Sequence, residues 1–168
     1  MMEFDIHSNE DQASRIEGCF TALYDVIGRR CREVNDDGNT IALHGIAREC
    51  GEWAARFRDL GPHRAGEPRN DAAPNASVTE LLEDAFTRDA SGSLVLYALV
   101  VEILPPLLIV LRDTTMSISP PTRVGQRASE AASFLVATLH SLTSLLRDRS
   151  PSLHLEEFAA QSRDKFHI

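Results

Sequence analysis

The sequence predicts an all-α protein, a helical bundle of five to seven helices with a central apolar, proline-kinked helix. Three observations predict it. Apolar residues recur at steps of three and four along most of the 168 residues, the spacing of helices that bury one face. No stretch alternates apolar and polar residues, and the β-branched residues fall inside helix-period segments. Residues 94–111, LVLYALVVEILPPLLIVL, carry Glu102 as their one charge and are preceded and followed by amphipathic segments that could cover them.

The first helix follows from Ser8 and Asp11, which have the spacing of a capping box, and from the stripe Ile16, Phe20, Leu23, Ile27, Cys31 and Val34. It is expected to stop at the turn Asn35-Asp36-Asp37-Gly38. Ile46, Cys50, Trp53, Phe57 and Leu60 then repeat the pattern up to Gly61-Pro62, where a glycine exit meets a helix breaker. So short a connection favours an antiparallel hairpin. Trp53 and Phe57 stand one turn apart and are expected to anchor that hairpin in the core; exposed, they would form an aromatic hot spot for a partner.

Residues 61–76, GPHRAGEPRNDAAPNA, contain three prolines, two glycines and no large apolar side chain, so a flexible loop is expected there. Ser77-Val78-Thr79-Glu80 has the spacing of a second capping box, opening a short helix that turns Val78, Leu81, Leu82, Ala85 and Phe86 inward. In the apolar run, Pro105 and Pro106 remove two backbone donors and disfavour helical geometry at Leu104, which predicts a sharp kink or two shorter helices. Ser117 to Thr122 forms the next break. A fifth helix is expected from Gly125 to Arg147 on the stripe Ala128, Ala132, Leu135, Leu139, Leu142 and Leu146. Ser150-Pro151 signals one more, using Leu155, Phe158 and Ala159. The whole chain, 1–168, reads as a single helical domain.

The net charge of -8 lies entirely in residues 1–92, which hold 18 acids and 10 bases; residues 93–168 hold 7 of each. With no basic patch or stripe in either half, nucleic-acid binding is not expected. Cys19, Cys31 and Cys50 form no CxxC pair, and MMEFDIHSNEDQ has no basic stretch leading into an apolar one, so an intracellular, cytoplasmic or nuclear, location is expected. Cys31 and Cys50 lie on apolar stripes, whereas Cys19 lies beside its stripe and is at most a weakly reactive thiol.

Sites of chemistry are hard to find. Glu33, Asn35, Asp37 and Gly38 have the start of a calcium-loop spacing, but Thr40 and His44 stand where an aliphatic residue and a bidentate glutamate are needed. The six histidines form no HxxxH pair, and neither a GxSxG nor a phosphate-cradling glycine loop occurs. No catalytic residue, metal site or cofactor is therefore expected.

The apolar run admits three readings: a core helix, a membrane element or a partner surface. Its length suits a thinned bilayer, but Glu102 and the diproline oppose a span and the flanks lack a basic cluster. The core reading is preferred, with Glu102 neutralised by an arginine such as Arg30 or Arg127.

Residues 47–86 carry a Trp53-Ala54 stretch, a Leu60-Gly61-Pro62 exit, Gly66 in a polar loop and then Leu81-Leu82. In these features the segment resembles a helical N-terminal region of filamentous-fungal regulatory proteins. In that family the region precedes NACHT, ankyrin-repeat or zinc-finger parts. The loop departs from the pattern, with GEPRNDAAPN in place of a Ser-Leu-Asp-Tyr-Arg-Leu-like element. The resemblance implies a signalling or regulatory module with no enzymatic residues to transfer.

The expected function is thus a non-enzymatic interaction or regulatory module, self-associating or joined to a larger protein. The stripe Leu135, Leu139, Leu142 and Leu146 is the expected contact, and Trp53, Phe57 and Glu102 are the expected core anchors. A membrane-inserting domain using residues 94–111 and a small-molecule sensor with a pocket beside the prolines are the alternatives.

Overall fold

The computed structural model describes residues 2–60, 72–116 and 122–147, with side chains from residue 11 onward. These residues form five helices and no strand: α1 (Met2–Arg30), α2 (Asp37–Arg58), α3 (Ala76–Arg88), α4 (Ser93–Met116) and α5 (Arg123–Arg147). The all-α bundle is built from two hairpins, α1 with α2 and α4 with α5, and α3 bridges α1 to the start of α4. The helix expected from Leu155, Phe158 and Ala159 lies outside the described residues.

Helix α1 runs from Met2 and so contains Ser8 in place of starting there, and a 3-10 turn at Cys31–Glu33 ends the element. Asp36 then opens α2 by accepting the Asn39 N–H at 2.8 Å, which places Asp37 and Gly38 inside the helix instead of in the turn. The cap of α3 is likewise Asn75, two residues ahead of the expected Ser77, with its side chain accepting from Val78 N–H at 3.0 Å. In both cases the residue that precedes the first helical turn wins, because only there do N–H groups lack intrahelical acceptors.

Three rings tie the first hairpin together. Phe20 stacks on Phe57 at 5.9 Å between centroids and on Trp53 at 6.3 Å, and Trp53 reaches Phe134 of α5 at 5.9 Å. Phe57 is fully buried, and a side chain of that kind contributes about 1.5–3 kcal/mol through removal from water. Helix α1 is enclosed on several sides, with every residue from Ile16 to Phe20 buried. Among these is Glu17, whose Oε1 accepts from Arg58 Nε at 2.9 Å and from Ala72 N–H at 3.3 Å.

The end of the expected loop is therefore fastened down: Asn75 N–H bonds to Gly18 O at 2.9 Å. A Cβ on Gly18 would meet Ala73 O at 2.8 Å, so only glycine permits this approach. Residues 72–75 belong to the framework, and α3 starts at Ala76; residues 61–71 of the expected loop lie outside the described residues.

A second junction joins the two interhelical turns. Asn39 is completely buried and donates to Ser91 O at 2.7 Å, while Asn35 N–H bonds to Ala90 O at 2.9 Å. Gly92 closes the turn with φ of 77°, a left-handed conformation suited to glycine, against Val34 and Leu43.

Helix α4 contains the apolar run, and the break expected at the prolines takes the form of a change of winding, with two shorter α-helical stretches, Ser93–Tyr97 and Leu104–Met116, on either side of a π-helical one. It stays helical through the diproline because Ala98–Ile103 winds as a π-helix, Leu104 N–H bonding to Leu99 O. A proline ring clashes with the carbonyl four residues before it, and the wider turn moves the carbonyls ahead of Pro105 and Pro106 aside.

Candidate interaction surface

Helix α5 directs Ala128, Ala131, Leu135 and Leu142 into the core, at 2% exposure or less, with Leu139 and Leu146 packed partly buried against it. The stripe Leu135, Leu139, Leu142 and Leu146 is consequently not a free contact face: it is consumed by packing onto the rest of the bundle. Trp53, at 6% exposure, and Phe57 are core residues, which removes the aromatic hot-spot alternative; Arg56 covers the Trp53 ring from outside at 4.5 Å.

The free apolar surface lies elsewhere. Among the described residues six large hydrophobic side chains are exposed, and four share α4 and α5: Val101 at 41%, Ile109 at 59%, Met116 at 84% and Val136 at 46%. Helix α4 packs inward through Leu99, Ile103, Leu104, Leu107 and Leu111, with Val100, Leu108 and Val110 partly buried at the flanks, and Val101, Ile109 and Met116 are its exposed large apolar residues. The 18-residue window that marks it as apolar is 56% buried. Between α4 and α5, Arg112, Thr115, Met116, Ser129, Ala132, Ser133 and Val136 line an open groove of about 690 Å³. Alanine and serine on the α5 side leave this groove room for an incoming side chain.

Glu102 belongs to the inner side, at 8% exposure, and its Oε1 has no hydrogen-bond partner among the described residues. Neither expected neutralising arginine bonds to it. Arg30 pairs with Glu33 at 2.7 Å and with Glu83, which Arg29 also binds; Arg127 pairs with Glu130. A buried carboxylate oxygen without a donor destabilises the fold locally, and it sits in the π-helical turn.

The thiols are core atoms. Cys19, expected beside its stripe, is 1% exposed because α1 is covered on more than one side. Burial raises its pKa from an ordinary 9.0 to about 11, with Arg15 opposing in part, and burial also pushes the Cys50 thiol up. Below pH 9 the Cys19 thiol is neutral whether the chain is folded or not; between 9 and about 11 only the unfolded chain ionises, so stability falls as pH rises. Thermal unfolding followed across that window should show this fall, shallower in Cys19→Ala; an unchanged midpoint would show the thiol to be solvated. Among the described residues no group of three metal-ligating side chains forms, and the acidic turn is used for capping and for the Arg30–Glu33 pair.

No protein-family model, no curated protein and no solved structure matches this chain.

Proposed function

We propose that this chain is a non-enzymatic helical interaction module that docks through the outer face of α4 and α5. The observation carrying this reading is that Met116 and Val136 line an open groove between the two helices, with Ile109 exposed on α4 two turns before Met116 and on the same side of that helix. Contiguous exposed apolar surface marks binding sites more often than scattered residues do. The resemblance of residues 47–86 to the N-terminal region of filamentous-fungal regulatory proteins supports a regulatory setting.

A variant in which Ile109 becomes aspartate tests it. Ile109 is 59% exposed, so Ile109→Asp should leave the helical content and thermal midpoint of the dilute protein unchanged. Light scattering from micromolar to millimolar concentration should show association in the parent chain and its loss in the variant. Association equal in both chains would place the contact elsewhere.

A second reading has one observation in its favour. Helix α4 is the one described helix long and apolar enough to cross a membrane, with 24 residues of which the most apolar 18 have a mean hydropathy of 2.6. At about 1.5 Å per residue it exceeds a hydrocarbon core of about 30 Å. Its buried inner side, Glu102 and the diproline favour docking on protein instead. Release of dye from anionic vesicles by the parent chain, suppressed in Ile109→Asp, would favour the membrane.

A further inference from the structure

We infer that the cleft between α1 and α4 is a separate small-molecule site for a zwitterion, a free amino acid of about the size of alanine, with its carboxylate on Arg15 and its ammonium on Asp113. The inference goes beyond the docking reading and does not depend on it.

The cleft has an apolar floor and a charged rim. Arg15, Ile16 and Cys19 stand at steps of one and three on α1 and so share a face, and Leu107, Val110 and Asp113 line the opposite wall on α4, starting directly after the diproline. Ile16, Cys19 and Leu107 are exposed by 1% or less and seal the bottom. Cysteine and valine are small for positions where two helices meet, and at Cys19 and Val110 they leave a space of about 90 Å³, more enclosed than the groove between α4 and α5. That space holds about six water-sized groups, enough for alanine and too little for an aromatic amino acid.

The rim carries opposite charges on facing walls. Arg15 and Asp113 are both exposed, and among the described residues neither makes an ion pair or a hydrogen bond, with each other or elsewhere. Arg15 stands on the cleft side of α1, since its charge reaches the Cys19 thiol and opposes the effect of burial there. A lone anion at Arg15 would face the Asp113 carboxylate, and a lone cation at Asp113 would face the guanidinium. A ligand bearing both signs pairs with both. The arginine fork matches a carboxylate, the aspartate accepts from an ammonium, and a methyl-sized side chain rests on the floor. A few convergent polar groups over an apolar base are the usual make-up of a small-ligand site.

Thermal unfolding and titration calorimetry of the full chain test the site, with alanine, acetate, methylammonium and phenylalanine as probes at matched ionic strength. Alanine should raise the midpoint as its concentration rises, while the other three leave it in place. Arg15→Gln and Asp113→Asn should each weaken alanine binding by about tenfold or more. Arg112→Gln should bind as the parent does, because Arg112 lines the groove on the other side of α4. All three positions are exposed, so each variant should keep the parent's helical content. A rise of equal size in Arg15→Gln would be exclusion of solute from the surface, as with osmolytes, and would overturn the site. An equal rise with acetate would reduce it to an anion contact at Arg15, and equal binding of phenylalanine would contradict the enclosed floor.

Discussion

Arg58→Ala should destabilise the bundle by about 3–5 kcal/mol, more than Glu17→Ala, although both remove the same ion pair. The Glu17 side chain is 3% exposed and that of Arg58 34%. Deleting the arginine strands a buried carboxylate with a backbone donor from Ala72 at 3.3 Å as its remaining described bond. Deleting the glutamate leaves a guanidinium that already reaches solvent, so its cost should be nearer about 1–3 kcal/mol. Removing both should be less damaging than Arg58→Ala alone, a non-additivity that urea unfolding of the four chains measures directly. Because Glu17 also holds residue 72, Arg58→Ala should loosen the return of the chain onto α1, seen as faster amide exchange at Asn75. Equal losses for the two single variants would mean that Glu17 is hydrated.

Leu107→Asp should abolish cooperative folding. Leu107 is fully buried on the inner side of α4, beyond the diproline. An aspartate there places an unpaired charge among apolar side chains, and such substitutions exceed about 4–5 kcal/mol, comparable with the whole stability of a domain. Glu102 shows why the neighbourhood is unforgiving: one carboxylate with an unpartnered oxygen is already present in the same helix. Circular dichroism should show loss of the sharp thermal transition, with residual helix from α1 and α2 as the most that survives.

Much of the fold was legible because α2 and α5 have one apolar stripe each, and a stripe of that kind has one stable placement. Helix α1 was harder. Cys19, Ala22 and Val26 lie off the stripe read from Ile16, Phe20 and Leu23, yet all are buried, since α2, α3 and α4 cover α1 from different directions. Gly18, a glycine in mid-helix, is itself a sequence mark of the close backbone approach that Ala73 makes there. The Ser77 cap misled because Glu80 completes its spacing, although Asn75 is as good a cap and reaches the free N–H groups first. At the candidate surface, periodicity failed for a physical reason. It reports contrast between faces, and residues 94–111 are apolar on all of them, so nothing distinguishes Ile109 from Leu107 in the sequence. The leucines of α5 stand out for the opposite reason: their polar neighbours make the stripe conspicuous, while the same contrast is what sends it inward.

Urea unfolding of Leu107→Asp beside Ile109→Asp, at low micromolar concentration without detergent, probes most directly whether α4 is shielded by the bundle on one side and open on the other. The two residues are two positions apart and chemically alike, and differ in exposure from 0% to 59%. Ile109→Asp should unfold with the parent's midpoint and slope, and Leu107→Asp should show no cooperative transition. Equal loss in both, or a parent chain that stays dispersed only in detergent, would contradict it.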